Sequence, residues 1–160
     1  MVAENVAPTV REARRGDIEV IVEFNSALAR ETEELTLDAG VVKAGVRAVL
    51  DNPGRGVYYV AGLDDHVAGV LLLTFEWSDW RNGEYLWIQS VYVRPQYRRQ
   101  GIFRALYEHV RQLSKSDGRC GLRLYAEAHN ETAIATYEKL GMCHYGYHVY
   151  ETTDTLRNGD

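Results

Sequence analysis

Apolar and polar positions change period once within a single stretch, Glu84–Lys115, and the rest of the chain is arranged around that change. Tyr85, Trp87, Gln89, Val91 and Val93 alternate with Leu86, Ile88, Ser90 and Tyr92, which predicts a strand with the two sets on opposite faces. Pro95 ends it, because proline cannot donate to a ladder. Ile102, Leu106, Val110 and Leu113 then recur at helical spacing and predict an amphipathic helix. Between the two lies Arg98-Arg99-Gln100-Gly101. A strand that feeds a glycine turn and a helix start leaves backbone N–H groups unpaired, with the positive end of the helix behind them. Such a turn is an anion site, and phosphate is its usual occupant.

The same reading applies along the whole chain. Thr9–Ala13 predicts a first strand. Asp17 is placed to cap a helix with Ile18, Ile21, Val22, Asn25 and Leu28 on one face, fading in the acidic run Glu31, Glu33, Glu34 and Asp38. Asp38 is placed to cap a second helix through Val42, Val46, Val49 and Leu50, ended by Asn52-Pro53-Gly54. Strands are predicted over Val57–Leu63 and Val67–Phe75, joined by an Asp64-Asp65 turn, and the segment from Glu76 to Gly83 reads as a loop. After the central helix come a strand over Gly121–Ala128, a short helix capped by Asn130 and closed by Gly141, and a last strand over His144–Tyr150. The order β-α-α-β-β-β-α-β-α-β predicts an α/β fold with a mixed, mostly antiparallel central sheet and helices on both faces. The 160 residues read as a single domain with an ordered core of about 9–152 and loose ends before Thr9 and after Thr152.

Charge sharpens this picture. The chain carries a net −5, yet Arg94–Lys115 holds six basic residues against Glu108 alone, so positive charge is concentrated at the turn and its helix. The acidic total argues against a nucleic-acid partner. No apolar run is long enough to span a membrane, and the N-terminus lacks the charge and apolar core of a signal peptide. Cys120 and Cys143 read as reduced, buried thiols of a cytoplasmic protein. The five histidines share no metal-ligand spacing, so no metal site is expected. The turn also lacks the Gly-Lys-Ser/Thr ending of a nucleotide-binding loop.

Two motifs then carry a family resemblance. Arg98-x-x-Gly101-x-Phe103 resembles the pyrophosphate-binding motif of the GNAT superfamily of acyl-CoA N-acetyltransferases, Arg/Gln-x-x-Gly-x-Gly/Ala, with Phe103 replacing the second small residue. Asn130-x-x-Ala133-x-x-x-Tyr137-x-x-x-Gly141-Met142 resembles the family's second helix motif. The pair occurs in order, one strand apart. The acidic loop and Glu76–Val93 are similar to the diamine acetyltransferase subgroup.

The resemblance implies acetyl transfer from acetyl-CoA to a primary amine by direct attack. The CoA phosphates would lie on Arg98, Arg99, Gln100, Gly101, Ile102 and Phe103. The pantetheine arm would pair with the backbone of Val91 and Val93 as an extra strand. Asn130 would touch that arm or orient its helix, and Tyr137 would protonate the leaving thiolate. In the diamine subgroup an acidic residue on the central strand prepares the amine. The matching position is Gln89, which cannot act as a base. Glu76, Glu84, Glu127, or a water held by Gln89 and Tyr92, remain alternatives. Glu33 and Glu34 read as a solvated face or as an attractor of a cationic amine. Trp77, Asp79 and Trp80 read as a packed loop or as a wall for an ammonium. The expected acceptor is a small cationic amine such as a polyamine or an amino-acid side chain. A protein or peptide acetyltransferase and a non-catalytic acyl-CoA sensor are the other readings. The aromatic last strand (Tyr145, Tyr147, Tyr150) fits either a core or a homodimer contact.

Overall fold

A computed structural model of the protein describes residues 7–63 and 65–152. The expected loose ends and Asp64 of the predicted turn fall mostly outside those residues. The elements run β1 (Thr9–Glu12), α1 (Ile18–Glu33), α2 (Ala39–Leu50), β2 (Val57–Leu63), β3 (His66–Ser78), β4 (Gly83–Val93), α3 (Ile102–Ser116), β5 (Gly121–Leu124) and α4 (Glu131–Lys139). Short 3₁₀ turns precede α1 and follow β4. One sheet has the order β1-β2-β3-β4-β5. Every pair is antiparallel except β4–β5, which is parallel. The mixed sheet with helices on both faces is as the hydrophobic pattern predicts.

Each face buries its own cluster. On one side Ile18, Ile21 and Phe24 of α1 and Val46 of α2 pack on Tyr58, Val60, Val70 and Tyr92. On the other, Ile102, Leu106, Tyr107 and Val110 of α3 pack on Ala61, Leu71, Leu73, Leu86 and Ile88, with Leu140 and Met142 at the end of α4 beside them. Each fully buried aliphatic side chain contributes about 1.5–3 kcal/mol, so α3 is fixed by its apolar stripe. Gly69 of β3 permits that close seating. A Cβ there would lie 2.8 Å from the Ile102 side chain.

A bulge in β4 changes the predicted faces. Ser90 pairs with Leu72 and Ile88 with Leu73, so Gln89 is the extra residue between them. The alternation resets there. Leu86 and Ile88 face α3, and past the bulge so do Val91 and Val93, while Tyr92 crosses to the α1–α2 side. A period-two pattern cannot register an inserted residue, so it places Val91 and Val93 with Tyr85 and Trp87.

Five other expectations are corrected. Asp17 does not cap α1 through its side chain. It accepts two bonds from Arg11 (2.7 and 2.8 Å) and one from the Arg14 N–H (2.7 Å), tying β1 to the helix entry. β3 runs on to Ser78 because Glu76, Trp77 and Ser78 find partners in Tyr85, Glu84 and Gly83, so only the tip of the predicted loop is a turn. β5 stops at Leu124, whose pairing with Ile88 is the last between it and β4. Residues 144–150 form no strand. The Tyr147 N–H donates to the Tyr145 carbonyl (2.8 Å) and closes a tight turn about Gly146. Of the cysteines, Cys120 is half-buried but Cys143 is exposed, and both are free. Among the described residues no helix is long and apolar enough to cross a membrane.

Candidate active site

The site grows from the point where β4 and β5 part. Their pairing covers only Tyr85–Ile88 against Gly121–Leu124. Past the bulge at Gln89, Ser90 to Val93 keep β3 on one edge of β4 and have no strand on the other among the described residues. Open edge amides can pair with an extended ligand. Val91 and Val93 lie on this segment, half-buried.

The segment leads directly into the turn. Pro95–Tyr97 forms a 3₁₀ turn, Arg98 is extended, and Arg99 (φ 62°) and Gly101 (φ 81°) are left-handed. Among the described residues, no backbone hydrogen bond outside the regular elements uses the N–H groups of Arg99, Gln100 or Gly101. Ile102 and Phe103 begin α3, where N–H groups have no carbonyl within the helix. Nothing lies within 4 Å of a Cβ built on Gly101, so the space beside this turn is open. Gln100 folds back to donate from Nε2 to the Gln96 carbonyl (2.7 Å).

The arginines divide their work. Arg99 is exposed. The Arg98 guanidinium is engaged elsewhere: Nε donates to the Val93 carbonyl (2.9 Å) and Nη2 to Glu31 Oε2 (2.6 Å), with the plane over the Tyr92 ring at 5.4 Å. The other Glu31 oxygen accepts from the Tyr92 hydroxyl (2.8 Å). Burial pushes the Glu31 carboxyl upward, but the bonds from Arg98 and Tyr92 outweigh it and hold the group below its ordinary range. Burial, with the Glu31 carboxylate beside it, raises the Tyr92 phenol, which remains a donor.

Phe103 turns half-inward. It meets the Tyr137 ring edge-on at 5.8 Å and lies 6.2 Å from Tyr107. Its bulk therefore packs between α3 and α4. Tyr137 is half-buried, and desolvation raises its phenol above the ordinary value, so it is protonated at neutral pH. Asn130 caps α4 as predicted, accepting from the Ala133 N–H (3.1 Å). The end of α4 is tied to α3 by bonds from Tyr107 (3.5 Å) and Arg111 (3.3 Å) to the Leu140 carbonyl. Arg104 and Lys139 flank a shallow pocket between these helices, floored by Phe103 and Leu140.

The carboxylates separate by environment. Glu76 is ion-paired to Arg123, and Glu84 to Arg119. Glu127 is exposed and accepts from the His129 N–H (2.8 Å). Gln89 is exposed on the bulge, 3.4 Å from the Thr74 hydroxyl. Glu33 and Glu34 are exposed at the end of α1, just beyond Glu31. Trp77, Asp79 and Trp80 are not brought to the turn. They sit at the far end of the β3–β4 hairpin, roughly 30 Å along the strand from the level of Val93 at 3.3 Å per residue. Trp77 is 62% and Trp80 94% exposed, so neither ring belongs to a packed loop. Among the described residues, no group of His, Cys, Asp and Glu could hold a metal.

Sequence reasoning missed the place of Glu31, reading it with its acidic neighbours as a solvated face. The signal was present: Phe24 and Glu31 are seven residues apart and share the helix face that Ile21 and Phe24 bury.

A sequence model of the acetyltransferase (GNAT) family matches residues 22–142. The chain is 30% identical over 143 residues to a thialysine N-epsilon-acetyltransferase of Bos taurus, covering 82% of each protein. A Caenorhabditis elegans protein of the same name is 29% identical over 103 residues, and the match spans 64% of each chain, just under two thirds of that relative. The fold superposes with a TM-score of 0.86 on the crystal structure of "a possible acetyltransferase from Clostridium difficile 630". That protein is 43% identical, with 94% of this chain and 100% of the other covered. The match over most of the chain, with the Arg98–Gly101 turn and the Asn130–Tyr137 helix inside it, shows that the chain belongs to the GNAT family of acyl-CoA N-acetyltransferases.

Proposed function

We propose that the protein moves an acetyl group from acetyl-CoA to the primary amine of a small cationic acceptor, by direct attack and without a covalent enzyme intermediate. The observation that carries this reading is the open edge of β4 from Ser90 to Val93, continuous with the unpaired N–H groups of the turn at α3. An edge and an anion site in sequence match a ligand with an amide-bearing arm and a pyrophosphate, which is the shape of CoA. Arg99, Gln100, Gly101, Ile102 and Phe103 receive the phosphates through their backbone. Arg98 stiffens the turn, and Arg104 and Lys139 supply charge toward the far end of the nucleotide.

In the reaction the neutral amine nitrogen bonds to the thioester carbonyl carbon and the C–S bond breaks. The thiolate takes the Tyr137 proton, and the proton lost from nitrogen returns through solvent. An edge N–H at Val91 meets the developing oxyanion. Glu76 and Glu84, each held by a guanidinium, are poor candidates for the base. A water accepted by Gln89 and by the Tyr92 oxygen remains the better carrier. Glu33 and Glu34 give the acceptor side its negative charge and favour a cation. The bovine relative's name points to an ε-amine on a lysine-like side chain as the first acceptor to try.

The competing reading is an acyl-CoA-binding sensor, and it is favoured by Gln89 in place of a carboxylate. A cytoplasmic enzyme that pairs with a second copy through the exposed Tyr145, Tyr147 and Tyr150 is part of the same proposal. Thiol release from acetyl-CoA over a panel of primary amines tests it. Release that depends on a small cationic amine is expected, and CoA binding with no turnover on any amine would favour the sensor.

A further inference from the structure

Glu31 is exposed, yet both its oxygens are used, and both partners belong to the cofactor half of the site. Tyr92 lies just past the bulge on β4, and Arg98 opens the turn. Arg98 is held at three places: by Glu31 at Nη2, by the Val93 carbonyl at Nε, and by the Tyr92 ring face beneath. Tyr92 is in turn seated against Phe24 of α1, with ring centroids 5.3 Å apart. The residues that follow Arg98 include Arg99, a non-glycine residue at φ 62°, a conformation that needs outside support. Glu31, Phe24 and the Arg94–Glu23 pair at 3.0 Å all link α1 to this region.

We propose that Glu31 is a positioning residue for acetyl-CoA. Its carboxylate bridges the Tyr92 hydroxyl and the Arg98 guanidinium, and so holds the Arg98–Gly101 turn in the conformation that presents its N–H groups to the phosphates. The inference rests on the reading of that turn as the CoA site. It adds that the last turn of α1, on the acceptor side, is mechanically part of the cofactor site. Glu31 does not touch either substrate.

Substitution separates this from a merely structural role. Glu31→Gln keeps an acceptor for Tyr92 but removes the charge opposite Arg98. A charge-assisted hydrogen bond is roughly twice as strong as a neutral one. Glu31→Asp keeps the charge but is one methylene too short to reach both partners. Isothermal calorimetry with CoA on the full chain comes first. Wild type that does not bind CoA overturns the functional reading itself. Given wild-type binding, Glu31→Gln is expected to raise the Kd for CoA, and the KM for acetyl-CoA, about tenfold. The KM for the amine and kcat should change less than about twofold, and Glu31→Asp should fall between. CoA binding in Glu31→Gln equal to or tighter than wild type, or an equal rise in both KM values, overturns the inference. Tyr92→Phe gives a second reading should the first variant unfold. It removes one bond of the bridge and is read by calorimetry alone: CoA binding about threefold weaker is expected, and binding equal to wild type overturns the inference.

Discussion

Phe103 meets Tyr137 edge-on, with ring centroids 5.8 Å apart. The residue that departs from the family's small-residue pattern is thus the one that packs against the proposed acid. Phe103 and Tyr137 come from different helices, and their contact sets how far α4 stands from the start of α3. Replacing the ring by a branched aliphatic should keep the fold while freeing the Tyr137 side chain. Phe103→Leu is expected to cost about 1 kcal/mol in urea denaturation and to lower kcat more than it raises the KM for acetyl-CoA.

Tyr137→Phe removes a single oxygen and no packing volume. Loss of a general acid typically costs on the order of 100-fold in rate. Steady-state kinetics should show that fall in kcat with amine and acetyl-CoA together, while calorimetry with CoA gives an unchanged Kd. Undiminished turnover would remove Tyr137 from the mechanism.

Gly101 tests the turn by a different route. Its φ of 81° is unfavourable for a residue with a Cβ, at about 1–2 kcal/mol. No protein atom would touch that Cβ. Gly101→Ala should therefore lower the thermal midpoint modestly, through backbone strain alone. The added methyl also occupies the space beside the turn N–H groups, so CoA affinity should fall by more than the stability change alone accounts for.

Acid should weaken the fold at the Arg11–Asp17 pair. The Arg11 side-chain bonds, opposed by burial and helped by the Arg14 N–H, hold the Asp17 carboxyl below its ordinary value. A depressed folded pKa means stability that is fully present above the unfolded pKa, near 4, and lost as pH falls through the folded one. Asp17→Asn should cost about 1–3 kcal/mol at pH 7. It should also flatten the acid limb of a thermal-midpoint profile measured between neutral pH and pH 3. A variant profile parallel to wild type throughout would contradict the assignment.

Much of this architecture was readable from pattern. The apolar stripe of α3, the caps Asp38 and Asn130, and the turn at Gly101 follow local rules that a sequence displays directly. The bulge at Gln89 does not, because one unpaired residue leaves no mark on composition and reverses every face assignment after it. The placing of Glu31 depends on a contact between residues 67 positions apart, beyond the reach of local spacing. Trp77 and Trp80 suit a packed loop by pattern, but the β3–β4 pairing runs through Trp77 and leaves both rings exposed. Residues 144–150 have the alternation of a strand, and Gly146 with its tight turn overrides it.

A rapid-mixing experiment with acetyl-CoA and thialysine tests direct transfer most closely. The protein, CoA and the amine would be followed together by mass spectrometry, with and without the amine. The account predicts acetylated thialysine and free CoA formed one for one, with no acetylated protein when the amine is omitted. Acetyl groups on the chain itself before amine is added, or CoA release with no acetylated amine, would contradict it.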